Sequence, residues 1–99
     1  ELVRRIEAEH GSPEESPEFW SGISARNYLD RITTPVMMHH GVVDETCPIS
    51  WSRATAAGLR DAGVALTYHE YADEGHYFYG GWARSMARTL AFLDKHLAA

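Results

Sequence analysis

The chain has 99 residues and a formal net charge of −5, with 44% of its residues hydrophobic and 23% charged. That make-up fits one small globular domain or part of a larger one, and it excludes long disorder, collagen and coiled coil. No run approaches the roughly 20 apolar residues that cross a bilayer, the basic residues form no footprint for nucleic acid, and a single cysteine, Cys47, excludes an internal disulfide.

The opening Glu1-Leu2-Val3-Arg4-Arg5-Ile6-Glu7 is too charged for an export signal. This favours the cytoplasm, although one cysteine leaves the compartment open. Residues 1–34 read as a helical and loop lead-in. Residues 1–10 suit a short helix with Leu2, Val3 and Ile6 on one side, closed by Gly11. The polar stretch from Gly11 to Glu18 contains helix starts: Ser12 and Glu15 fit a capping box, and Pro13 and Pro17 suit first helical positions. Phe19, Trp20, Ile23, Tyr28 and Leu29 then supply apolar anchors in a short helix or a turn-rich segment.

Pro35 and Gly41 bracket Val36-Met37-Met38-His39-His40, which predicts a buried strand over about 35–40. Pro48 opens a helix over about 49–62, closed by Gly63, with Ile49, Ala54, Ala57 and Leu59 as candidates for its buried face. A second strand follows over about 64–71, where Val64, Leu66 and Tyr68 alternate with Ala65, Thr67 and His69. The last helix spans about 81–97. Trp82, Met86, Leu90, Leu93 and Leu97 form a helical stripe along it, and Lys95 and His96 suit its final turn. Strand, helix, strand, helix predicts an α/β fold: a βαβα unit with two parallel strands and a right-handed crossover. Parallel sheets normally hold more than two strands and are covered on both faces. Residues 1–99 are therefore expected to be a single partial domain, with a strand edge that another strand must cover.

Two loops stand at the carboxyl ends of these strands, His40-Gly41-Val42-Val43-Asp44-Glu45 and Asp73-Glu74-Gly75-His76. Chemistry in open parallel sheets gathers at those ends, so adjacent strands bring Asp44 and His76 together. A carboxylate beside an imidazole is the orienting half of a nucleophilic triad. Gly41 and Gly75 allow tight turns beside each group. Other readings compete. Asp44 suits an Asx turn, and Glu70, Asp73 or Glu74 could partner His76 instead. His39, His40, Asp44, Glu45, His69 and His76 have metal-ligand chemistry, but His39 and His40 point to opposite strand faces and no HExxH spacing occurs. No metal or cofactor is expected. Cys47 reads as a small buried or cap-adjacent residue. Tyr77, Phe78 and Tyr79 either line a pocket or pack, and Trp82 belongs to the helical stripe.

Pro35 through His76 resembles the C-terminal stretch of α/β-hydrolases, particularly the prolyl oligopeptidase group of serine peptidases. The resemblance is carried by Pro35-Val36-Met37-Met38-His39-His40-Gly41 with Asp44 and Pro48, then by Tyr71 and by Gly75-His76. Tyr28 to Pro35 is similar to that group's approach to this strand, and Ala91 to Leu97 to its end. The resemblance implies that Asp44 is the triad acid and His76 the triad base. It also implies that the nucleophile, which precedes both in that family, lies before residue 1. Gly22-Ile23-Ser24-Ala25-Arg26 matches half of a G-x-S-x-G elbow but lacks the second glycine and a preceding strand, so Ser24 is not expected to be that nucleophile. The expected function is a catalytic-domain portion of a serine hydrolase acting on a peptide or ester, inactive alone. Its partners would be the missing N-terminal part of the domain or a second copy of the chain, with no nucleic acid and no membrane. The alternative is a non-catalytic assembly module that pairs its sheet edge with another chain.

Overall fold

A computed structural model describes residues 1–98. Its first third holds α1 (Leu2–His10), α2 (Pro17–Gly22) and a 3₁₀ segment (Ala25–Arg31). Gly11 ends α1 at φ 83°, a left-handed conformation that suits glycine, while its N–H donates to the Glu7 carbonyl. The capping box forms: the Ser12 N–H donates to the Glu15 carboxylate at 2.9 Å, and the Glu15 N–H donates to the Ser12 hydroxyl at 3.2 Å. It closes a single turn, however. Ser16 precedes Pro17, whose ring holds it out of the helical region at φ −133°, ψ 61°, and α2 starts afresh at Pro17. The Trp20 indole N–H donates to the Gly11 carbonyl at 2.9 Å, and the His10 ring stacks on Phe19 at 4.1 Å, which fastens α1 to α2.

The remainder is β1 (Val36–Gly41), α3 (Ile49–Asp61), β2 (Leu66–Tyr71) and α4 (Trp82–Leu97). β2 begins later than the apolar alternation suggests, because the Val64 N–H donates back to the Leu59 carbonyl around Gly63 at φ 80°. The ladder opens instead with the Val36 N–H donating to the Ala65 carbonyl at 2.9 Å. β1 and β2 pair in parallel, with Val36 opposite Leu66 and Gly41 opposite Tyr71. Among the described residues each strand is paired on one side only. The two helices cover opposite faces. His40 and Glu70 turn toward α3, reaching the Cys47 carbonyl and Arg53, while His39 and Tyr71 turn toward Thr89 and Arg88 of α4.

The buried apolar residues are Ala56, Leu59, Val64 and Tyr71. On α3 the buried face is Ser52, Ala56 and Leu59, at helical spacing. Ile49 is half-buried, and Ala54 and Ala57 are exposed, contrary to expectation. The α3 face beside the buried one meets the 3₁₀ segment, not the sheet: Ala54 and Thr55 line a hollow there with Leu29. On α4 the stripe is also corrected. Ser85 is buried, whereas Trp82, Leu90, Leu93 and Leu97 are exposed. The sheet face under α4 presents His39, His69 and Tyr71, whose polar atoms need partners. Ser85, Arg88 and Thr89 meet that face, and the leucines are left outside.

The accessible surface is 7388 Å², where a folded monomer of this mass exposes about 5,700 Å². The radius of gyration is 16.8 Å, against about 13 Å for a compact domain of this length. Among the described residues no helix is long and apolar enough to cross a membrane.

Candidate active site

The parallel register sets the ends of β1 and β2 level, so the loops carrying Asp44 and His76 leave the sheet side by side. They are stitched together by the Val42 N–H donating to the Tyr71 carbonyl at 2.9 Å and the Val43 N–H donating to the Glu74 carbonyl at 3.1 Å. Gly41 is required by this approach. A Cβ there would collide with the carbonyl oxygens of Glu74 and Gly75. Its role is thus to leave space, not to supply a left-handed turn, since its φ is not positive. Gly75 has neither a positive φ nor a close neighbour, so the expected glycine-dependent turn is absent at that position.

Asp44 divides its two oxygens. Oδ1 accepts the N–H groups of Thr46 at 2.9 Å and Cys47 at 2.8 Å, which is the Asx turn. Oδ2 stands 3.1 Å from His76 Nδ1. Turn and imidazole partner therefore coexist. The Asp44 side chain is 6% exposed and that of His76 42%. The Cys47 N–H is the main reason the Asp44 carboxyl sits below its ordinary pKa. Burial opposes this, and the His76 ring and the Thr46 N–H add to it. Because a carboxylate only accepts, the His76 proton belongs on Nδ1. Nε2 then keeps its lone pair and has no partner among the described residues.

Of the other acids weighed as partners of His76, Glu70 is engaged by Arg53 in a two-pronged ion pair, with N–O distances of 2.9 and 3.1 Å. Glu74 accepts from the N–H groups of Tyr79 and Gly81. Asp73 makes no hydrogen bond to His76. Sequence reasoning missed a role for His40. Its Nε2 donates to the Cys47 carbonyl at 2.8 Å and lies 3.4 Å from Asp44 Oδ2, so Asp44 has an imidazole on either side. The only signal for this was a histidine four residues before the acid.

His39 is fully engaged. The Thr89 hydroxyl donates to the Ser85 carbonyl, so it accepts from His39 Nε2 at 3.0 Å, and the Tyr71 hydroxyl donates to His39 Nδ1 at 2.9 Å. Among the described residues no three of the His, Cys, Asp and Glu side chains converge as a metal site. Cys47 acts through its backbone, at the head of α3. Ser24 stands at the start of the 3₁₀ segment, and among the described residues its hydrogen bonds are local, to Ser21 and Asn27. Around His76, Val43, Glu45, Thr46, Tyr77 and Tyr79 line an open hollow of about 300 Å³. Tyr77 meets the His76 ring edge-on at 5.3 Å, whereas Phe78 packs on Tyr71 at 4.8 Å.

A buried carboxylate that orients an exposed imidazole can support proton transfer to and from a reacting group. A comparison with curated proteins found no match. The model of the prolyl oligopeptidase family matches residues 4–99, and with the parallel α/β arrangement described above this chain belongs to the prolyl oligopeptidase family, whose fold is that of the α/β-hydrolases.

Proposed function

We propose that this chain supplies the acid and the histidine of a Ser-Asp-His triad in a serine hydrolase that cleaves peptides or esters. The contact between His76 Nδ1 and Asp44 Oδ2 at 3.1 Å carries this reading. Asp44 accepts the Nδ1 proton and fixes the tautomer in which Nε2 is basic. Nε2 takes the serine hydroxyl proton as the oxygen attacks the acyl carbon. The imidazolium then gives that proton to the departing amine or alkoxide. Water follows the same route in the second half-reaction and frees the acid. The backbone N–H groups on Oδ1 keep the carboxylate ionised and fixed in rotation. These residues form the C-terminal part of a larger catalytic domain. The serine and the oxyanion donors come from sequence outside these 99 residues, and the 99-residue chain alone is inactive. The reaction needs no cofactor.

In the complete enzyme, His76→Ala should lower kcat by about 10⁶-fold and Asp44→Asn by about 10⁴-fold. An unchanged rate in either variant would sink the assignment. Intact mass after fluorophosphonate treatment tests the second part. The 99-residue chain should carry no adduct, whereas a stoichiometric adduct lost in His76→Ala would place an activated serine within it. The strand edges left unpaired among the described residues favour one other reading, a non-catalytic module that pairs its edge with another chain. Concentration-dependent association, together with hydrolysis indifferent to both variants, would put that reading first.

A further inference from the structure

Glu74 lies two residues before His76 and is held from both sides. Its carbonyl oxygen accepts the Val43 N–H at 3.1 Å, next to Asp44, and its own N–H donates to the Tyr71 carbonyl at 3.2 Å. Its side chain reaches forward past His76. Oε1 accepts the Gly81 N–H at 2.7 Å, and Oε2 accepts the Tyr79 N–H at 2.8 Å. Gly81 leaves room for this, since a Cβ there would stand 3.2 Å from Glu74 Cγ and 3.3 Å from Oε1. The backbone of Glu74 is thus fixed to the Asp44 loop and its carboxylate to the start of α4. Among the described residues the His76 ring has a single hydrogen bond of its own, and it is 42% exposed, so its position is set by the backbone on either side.

We infer that Glu74 is a positioning residue for the hydrolytic reaction: its carboxylate closes residues 75–81 into a rigid loop that keeps His76 Nδ1 on Asp44 Oδ2. This rests on the reading of Asp44 and His76 as a triad pair. A carboxylate suits the task because both of its oxygens accept. A glutamine of the same shape offers one acceptor and turns an NH₂ toward the second backbone N–H, so one hydrogen bond is lost and two donors face each other. Glu74→Gln therefore loosens the loop with little change in volume.

The test uses the complete enzyme, with kcat expressed per site titrated by a fluorophosphonate, so that misfolded molecules are not counted. Glu74→Gln should lower kcat by about 100-fold, the scale of a misplacement near 1 Å, and leave KM unchanged. In the proton NMR spectrum the hydrogen-bonded Nδ1 proton of His76 should exchange with water faster than in the parent. Glu74→Ala should lower kcat at least as far. If it does not fold, Glu74→Gln decides alone. Unchanged kcat in Glu74→Gln overturns the assignment, as does a fall in kcat with an unaltered Nδ1 proton. His76→Ala is measured alongside. If it keeps the parent rate, the triad reading has failed. If it abolishes the rate while Glu74→Gln does not slow the enzyme, only the assignment of Glu74 has failed.

Discussion

Gly41 shows how much of this arrangement depends on a missing side chain. The carbonyl oxygens of Glu74 and Gly75 occupy the space where its Cβ would be, so the histidine loop can lie against the aspartate loop only over a glycine. In the complete enzyme Gly41→Ala should cost about 1–3 kcal/mol of stability, the range for forcing an extra methyl into a packed site, and should lower kcat. Denaturant unfolding and steady-state kinetics read the two effects, and a fully active, undestabilised variant would contradict this account. Sequence spacing and parallel pairing brought Asp44 and His76 together. They rank Asp44 above Glu70, Asp73 and Glu74, since acids close to His76 in sequence rarely reach its orienting nitrogen, but they do not say what those other acids do. What distinguishes these acids is the position of the Arg53 guanidinium and of the Tyr79 and Gly81 N–H groups, which exists only once α3 and α4 have docked. The same limit hid His40, whose partner is a backbone carbonyl, a group that every residue carries.

The elements were easier to read than the faces they bury. Pro35 precedes β1 and Gly41 ends it, although methionine and histidine are poor strand formers, and Pro48 and Gly63 bound α3. The stripe on α4 is a true periodicity, but periodicity says only which residues share a face, not what lies opposite. Here a polar sheet face turned Ser85 and Thr89 inward. That face has a consequence for acid stability. Burial is the main cause lowering the pKa of both His39 and His69 below 6.5; His69 and Arg88 add to it at His39, and Arg88 and Arg84 at His69. Both rings are thus harder to protonate in the fold than in the unfolded chain, where they take a proton near pH 6.5. Their contribution is intact above pH 6.5 and is lost as the pH falls from there toward their lowered folded values. The melting temperature of the complete enzyme should therefore drop between pH 7 and 5, and less steeply in His69→Gln. A flat profile across that range would show that the rings do not titrate on unfolding. Asp44 adds a second decline at lower pH. Its folded pKa is depressed, so its contribution is present above the ordinary value of 3.8 and is lost as the pH falls through the lowered one.

At the scale of the whole molecule the notable quantity is surface. The chain exposes roughly 30% more than a monomer of its mass should, an excess about twice what one partner contributes to a standard protein interface. The excess includes the outer side of α4, with Trp82, Leu90, Leu93 and Leu97, and the exposed Trp51 of α3. These are residues of the kind that folded domains bury. The isolated 99-residue chain is expected to melt without cooperativity or to associate. Calorimetry with sedimentation checks this, and a monomer with one sharp transition would count against it.

The same exposure provides an optical reporter. Trp20 is half-buried and hydrogen-bonded, whereas Trp51 is 63% and Trp82 57% exposed, so two of the three indoles emit from water. When the outer sides of α3 and α4 are covered, those two should move into an apolar setting and the emission should shift to the blue. Trp51→Phe and Trp82→Phe would then tell which side is covered first.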